Sequence, residues 1–103
     1  MEALTPTFIC FLNWTEQGAK GAKDATKRHQ ATKAIAEKLG GRLLSAYVTT
    51  GQYDVILTFD FPDGQAMIKI AAAISGSGSA RTTTVRAFSP EEFSKIVAEG
   101  PSM

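Results

Sequence analysis

The chain has 103 residues, of which 44% are hydrophobic and 20% charged, and its formal net charge is +1. This length and balance predict a single folded domain over residues 1–103 and exclude a disordered chain. A charge so near neutrality gives no reason to expect nucleic acid or an anionic membrane as a partner. The sequence begins without a basic segment followed by a long apolar stretch, and no apolar run reaches the roughly 20 residues of a membrane span. We therefore expect a cytoplasmic domain.

The first part of the chain predicts a strand followed by a helix. Residues 7–12 form a short apolar run without polar alternation, which indicates a strand covered on both faces. Residues 13–24 contain two glycines and predict an irregular start to the first helix. Residues 24–39 carry apolar side chains at helical spacing, and Gly40 and Gly41 end that helix.

A hairpin and a second helix come next. Residues 42–49 and 53–59 are predicted strands, and the short turn around Gly51 makes them an antiparallel hairpin. Asp63 is a candidate N-cap for a helix whose apolar residues repeat at i, i+3, i+4 and i+7. A flexible segment of alternating Ser and Gly, residues 75–79, ends that helix.

The last part of the chain predicts a strand and a terminal helix. Residues 80–87 are rich in threonine and indicate a fourth strand. Residues 89–92, Ser-Pro-Glu-Glu, form a capping box with proline at the first helical position. The apolar residues that this terminal helix is expected to bury are Phe93, Ile96 and Val97.

This order of elements predicts an α+β fold. The order β-α-β-β-α-β, with a terminal helix added, is that of a ferredoxin-like domain with an antiparallel four-stranded sheet. In that topology the first and third strands are central, and they are the two most apolar strands of this chain. The second and fourth strands carry the polar residues expected at sheet edges.

The same topology leaves one face of the sheet without helices. Residues such as Phe8 or Ile9, and Ile56 or Leu57, would form an apolar patch larger than a soluble monomer usually tolerates. We infer a homodimer in which the two sheets pack face to face. The competing interpretation is that the terminal helix covers part of this face.

Several motifs in the chain resemble one family. Residues 51–54 read G-Q-Y-D, the G-x-Y-D turn after which the GYD domain family is named. Further segments that resemble this family are L-N-W-T-E-Q-G at 12–18, K-D at 23–24 with K-R at 27–28, A-E-K-L-G-G-R-L at 36–43 and R-T-T-T-V-R-A-F at 81–88. The resemblance covers residues 7–97 and implies a dimeric α+β barrel related to ferredoxin-like folds. It implies no established activity.

Arg28 is the most informative candidate site residue. Helical geometry places it on the same side of the first long helix as Ile35 and Leu39. A guanidinium near the start of a helix and directed at the sheet fits a ligand carboxylate or phosphate. Alternatively, its stem lies on apolar surface and its head reaches an acidic partner or solvent. The basic residues concentrated around this helix, which form a solvated face or steer a small acid, are Lys20, Lys23, Lys27, Arg28 and Lys33.

Two residue pairs at strand ends are further candidates. Asp54 is a general base or an orienting group, or it accepts hydrogen bonds from turn amides. Tyr53 beside it belongs to a ligand or catalytic site, or it closes the end of the barrel with its ring. Asn13 and Trp14 end a central strand, where pockets form, and predict a ligand-orienting pair or a tryptophan packed beneath the loop.

The remaining candidates point away from metal and cofactor chemistry. Arg86 is placed to reach a pocket edge, whereas Arg81 lies an odd number of residues away and faces the other side of an extended strand. Cys10 is expected to be a buried, inert thiol. His29 is the sole histidine, so we expect no metal site. The Ser-Gly segment lacks a P-loop ending, and no cofactor is indicated.

Three functions remain open from the sequence. The first is binding of a compact organic anion, which Arg28 and the basic helix favour. The second is a cofactor-independent isomerase or oxygenase that uses Asp54 or Tyr53, an analogy from fold. The third is a structural or protein-interaction module whose dimer surface is the functional part.

Overall fold

The computed structural model describes residues 5–103, and within them the predicted order of elements is confirmed. The strands are β1 Thr7–Trp14, β2 Arg42–Val48, β3 Val55–Asp60 and β4 Ala80–Ala87. The helices are α1 Glu16–Lys20, α2 Ala25–Lys38, α3 Gly64–Gly76 and α4 Pro90–Glu99, with a 3-10 turn at Ala22–Asp24 between α1 and α2.

Two local features differ from the sequence prediction. The irregular stretch before α2 contains a separate short helix, α1, because the Thr15 side chain caps it by accepting from the Gly18 amide at 3.2 Å. β3 begins at Val55, so Tyr53 and Asp54 lie in the preceding turn and not on the strand. The turn is closed because the Thr49 amide donates to the Asp54 carbonyl at 2.8 Å.

The sheet has the order β2-β3-β1-β4, and every neighbouring pair is antiparallel. The predicted central position of the first and third strands is therefore confirmed. Cys10 in the middle of β1 lies opposite Leu57 of β3 and Thr84 of β4. This register gives β1 one face toward α2 and α3 and one face away from them.

The core lies between the helices and one face of the sheet. Phe8, Cys10 and Leu12 of β1 point into it, and Phe59 and Ile70 are completely buried there. Burial raises the pKa of the Cys10 thiol, and a hydrogen bond with Thr84 opposes that shift. Cys10 is thus the buried thiol that the sequence predicts.

The opposite face of the sheet carries apolar side chains without a covering layer in the single chain. Ile9, Phe11 and Ile56 on this open face are half-buried, and Val85 is 42% exposed. The term open face is used below for this surface.

The terminal helix differs from the expectation that its apolar side chains are buried. Phe93, Ile96 and Val97 are 61%, 51% and 57% exposed. The start of α4 is fixed by its capping box and by an ion pair of 3.8 Å between Arg86 and Glu92. The expectation of burial is wrong for the single chain because α4 does not pack these side chains against the rest of the domain.

Within residues 5–103, no helix combines the length and apolar character that a membrane crossing requires.

Candidate functional site

A cleft of about 850 Å³ lies between α2 and the sheet, near the end of β1, and it is partly open to solvent. Leu12 and Trp14 of β1 line it together with Val55 and Leu57 of β3. The pairing register of β1 and β3 brings these side chains together, since Leu12 lies directly opposite Val55. The cleft is therefore built on the two central strands, the most firmly held part of the sheet.

The cleft exists because the side of α2 that faces it has short side chains. Ala25, Ala31 and Thr32 line it, and Ile35 is the long apolar side chain that α2 contributes. Ala36, one turn beyond Thr32, is completely buried, so the C-terminal half of α2 sits close to the sheet. Near the N-terminal end of α2 the short side chains do not reach the sheet, and a space remains between the helix and the sheet.

Arg28 lies at the wall of this cleft, on the buried side of α2 as the sequence predicts. Its Nη2 atom donates to the carbonyl oxygens of Gly18 at 3.2 Å and Gly21 at 2.7 Å. These carbonyls belong to the end of α1, where a helix leaves its acceptors unsatisfied. The ion pairs among residues 5–103 do not include Arg28. Neutral carbonyls thus fix the guanidinium, and no carboxylate among residues 5–103 forms an ion pair with it, although Asp24 lines the same cleft. Neither sequence interpretation anticipated this arrangement.

Asp54 holds the end of β1 in place beside the cleft. Its Oδ2 atom accepts a hydrogen bond from the Trp14 amide at 2.8 Å, and its own amide donates to the Leu12 carbonyl at 2.9 Å. Next to it, the Asn13 side-chain amide donates to the Gln52 carbonyl at 2.8 Å. Asp54 therefore binds an amide of β1 and not one of its own turn, and in this structure it positions Trp14.

The G-Q-Y-D turn and the L-N-W-T segment, far apart in sequence, are the two partners in these bonds. A model of the GYD domain matches residues 8–97. The chain belongs to the GYD domain family. Comparison with curated protein sequences gives no significant match.

The GYD domain of this chain is similar to a solved structure described as TTHA0845 from Thermus thermophilus. The two share 21% sequence identity with a TM-score of 0.51, over 82% of this chain and 94% of that one. At this identity the likeness shows the fold alone, and it agrees with the ferredoxin-like topology of the GYD domain.

Three site features of this GYD domain were missed by sequence reasoning. Thr15 donates its hydroxyl to the Gly78 carbonyl at 2.6 Å, and its amide donates to the Ser79 carbonyl at 3.1 Å. Gly18 is buried against the backbone of Ser79, so α1 packs closely against the segment that follows α3. The sequence signal for Thr15 was its fit to a helix N-cap; Gly18 and Ser79 gave none, because their contact is made only in the folded chain.

The remaining predicted residues of the GYD domain lie elsewhere. The Tyr53 ring packs against the Phe11 ring on the open face, with centroids 4.6 Å apart and the two rings tilted. Arg86 lies opposite Phe8, at the other end of the sheet from Trp14, and its guanidinium is 4.2 Å from the Phe88 ring centroid. The structure thus brings Trp14 and Arg28 to the cleft, with Asp54 and Asn13 supporting that end, and places Tyr53 and Arg86 away from it.

Proposed function

We propose that this GYD-domain protein binds a small organic anion with an apolar body in the cleft between α2 and the sheet. The observation that carries the proposal is the guanidinium of Arg28, which carbonyls hold at the wall of a largely apolar cleft without an ion-pair partner among residues 5–103. A positive charge at the wall of a largely apolar cleft attracts an anion more strongly than a fully exposed charge does, because water screens it less. The hydrogen bonds to Gly18 and Gly21 hold that charge in place before a ligand arrives.

The size and surroundings of the cleft agree with such a ligand. Its volume of about 850 Å³ lies within the range of ordinary small-molecule sites. Leu12, Val55 and Leu57 offer apolar surface for the ligand body, and Trp14 offers a flat wall. The lysines on α1, α2 and the turn between them raise the local concentration of anions.

We expect the protein to bind 1-anilinonaphthalene-8-sulfonate, a compact aromatic anion, with one molecule per chain. N-phenyl-1-naphthylamine has the same rings without the sulfonate and serves as the matched neutral probe. Arg28→Met is expected to weaken binding of the sulfonate about tenfold or more and binding of the neutral probe much less, because the loss of the positive charge affects the sulfonate alone. The loss of the bonds to Gly18 and Gly21 loosens α1 and affects both probes alike. Fluorescence titration measures both.

Two further variants locate the binding. Lys27→Met, an equal loss of charge on the exposed side of α2, is expected to change sulfonate binding little. Thr32→Phe fills the cleft and is expected to weaken both probes. Equal losses for Arg28→Met and Lys27→Met, or binding of several sulfonates per chain, would contradict the proposal.

We also propose that the protein is a homodimer whose two sheets pack through their open faces. Ile9, Phe11 and Ile56 support this, because side chains of this kind contribute most when a second layer removes them from water. The cleft is on the opposite face of the sheet, so dimerisation leaves it accessible.

Sedimentation equilibrium is expected to give the mass of a dimer for the unaltered protein. Ile56→Lys places a charge on the open face and is expected to give a monomer. Ile68→Lys is the matched control, since Ile68 is 70% exposed on α3 and its replacement is expected to leave the dimer intact. A dimeric Ile56→Lys variant would contradict this arrangement. The enzyme hypothesis remains a prediction. Its residue Asp54 here accepts a hydrogen bond from the Trp14 amide, and its residue Tyr53 packs against Phe11.

A further inference from the structure

A second space lies beside the cleft, at the edge of the sheet that β2 forms. This space is a groove of about 390 Å³ between α2 and β2, and we call it the α2–β2 groove. Three residues, His29, Ala46 and Tyr47, line both the groove and the cleft. The two spaces therefore adjoin, and a ligand that is seated in the cleft can extend past His29 into the groove.

The geometry of α2 explains why the two spaces share His29. Arg28 lies at the wall of the cleft, and His29 follows it directly. Because each residue turns the direction of the side chain by about 100° around an α-helix, His29 lies on the flank of α2 next to β2. Lys33 lies one turn further along the same flank, since residues four apart are neighbours on a helix surface. Helix α2 thus carries one cation at the cleft and basic side chains at the groove.

The α2–β2 groove differs from the cleft in its chemistry. The surface of the cleft is largely apolar, whereas that of the groove is mainly polar and includes His29, Lys33 and Ser45. Among residues 5–103, no carboxylate lines the groove, and the ion pairs include neither Lys33 nor Glu37, which is one turn beyond it on α2. The groove therefore holds basic groups without acidic ones, which favours an anionic occupant.

Strand β2 has a bulge where it borders the groove. The register with β3 shifts between Leu43 and Ser45, and these two residues line the groove together with Leu44 between them. A β-bulge bends its strand and is common next to functional sites. A bulge also makes an edge strand a poor template for pairing with a strand of another chain. This edge is therefore better suited to a small molecule than to an added strand.

We propose that the ligand of the cleft carries a second acidic group, which lies in the α2–β2 groove near Lys33. This inference rests on the anion binding proposed for the cleft. Arg28 and Lys33 are five residues apart, which corresponds to about 7.5 Å along the axis of α2. The two acidic groups therefore lie at opposite ends of an apolar body. A dianion of this shape is complementary to both spaces, whereas a monoanion leaves the basic groove without a partner.

Three carboxylates of naphthalene test the second acidic group at neutral pH by isothermal titration calorimetry. Naphthalene-2-carboxylate has one acidic group, naphthalene-2,6-dicarboxylate has two at opposite ends, and naphthalene-2,3-dicarboxylate has two side by side. The 2,6-dicarboxylate is expected to bind about fivefold more tightly than the monocarboxylate, because it adds one partly exposed ion pair. The 2,3-dicarboxylate has the same charge and is expected to gain clearly less, because both of its acidic groups stay at the Arg28 end.

Two lysine variants locate the second acidic group. Lys33→Met is expected to remove the gain of the 2,6-dicarboxylate and to leave binding of the monocarboxylate nearly unchanged. Lys27→Met is the matched control, since Lys27 is on the same helix, carries the same charge and lines neither space. Both lysines are exposed, so neither change is expected to disturb the fold.

The second acidic group would be overturned by a 2,6-dicarboxylate that binds no more tightly than the monocarboxylate. Equal effects of Lys33→Met and Lys27→Met on the 2,6-dicarboxylate would overturn it as well. In both cases the anion site of the cleft still stands if Arg28→Met weakens binding of the monocarboxylate. A monocarboxylate that does not bind, or that binds the Arg28→Met variant equally well, would overturn both proposals.

Discussion

Replacing Gly18 with alanine is expected to lower the free energy of unfolding by about 2 to 3 kcal/mol. A Cβ atom built on Gly18 would overlap the backbone carbonyl group of Ser79. Backbone atoms have no rotamer to change, so α1 must move away from the segment that follows α3. That movement also breaks the bonds by which Thr15 holds Gly78 and Ser79. Sulfonate binding is expected to weaken too, because α1 supplies the carbonyls that fix Arg28.

Gly76→Ala provides the matched control for this prediction. Gly76 is the last residue of α3, and within residues 5–103 no atom outside its own helix backbone and chain neighbours lies within 4 Å of the position of an added Cβ. Alanine there is expected to be neutral or slightly stabilising, since it restricts the unfolded chain and favours the helix. Urea unfolding followed by the fluorescence of Trp14, the sole tryptophan, measures both variants. Equal stabilities for Gly18→Ala and Gly76→Ala would show that the α1 contact is not tight in solution.

Asp54→Ala is expected to lower the free energy of unfolding by about 1.5 to 3 kcal/mol, the usual effect of losing a hydrogen bond to a charged acceptor. The lost bond is the one from the Trp14 amide. The emission of Trp14 should therefore shift to longer wavelength as the end of β1 loosens and water reaches the ring. Binding of both naphthalene probes should weaken together, because the wall of the cleft is disturbed and not its charge.

Two variants separate this role from a general charge effect. Asp54→Asn keeps an oxygen that accepts from the Trp14 amide, so it should retain a substantial part of the stability and the native emission. Asp24→Ala removes an exposed carboxylate that makes no capping bond and is expected to change stability little. If Asp54→Ala unfolds like the unaltered protein with unchanged emission, the positioning role of Asp54 is wrong.

The fold was predictable because its signals are local. The apolar runs at residues 7–12 and 55–59 indicate central strands whatever else surrounds them, and the glycines and capping residues mark where helices begin and end. Helix α1 was not predicted as a separate element because a five-residue helix has little stability of its own. Its stability comes from Arg28 and Ser79, contacts that appear only when the chain has folded.

The candidate site was predictable only in part, for the same reason. Helical periodicity places Arg28 on the buried side of α2, but it does not show that two carbonyls of α1 are its partners. The cleft itself is a gap left by Ala25, Ala31 and Thr32, and no local pattern distinguishes short side chains that leave a space from short side chains that allow close packing. The apolar side chains of α4 were evident from the sequence, yet the expectation that the single chain buries them was wrong, because helical spacing does not show where the helix lies.

The position of β1 between β3 and β4 has a consequence for the synthesis of this protein. The strand made first is central, and its second neighbour is complete only when Ala87 has left the ribosome. Until then one edge of β1 carries unpaired amides and carbonyls beside apolar side chains, which is the kind of edge that joins with other chains. Both edges of β1 are unpaired before β3 is made, and one edge stays unpaired from then until β4 is complete, so β4 ends that exposure.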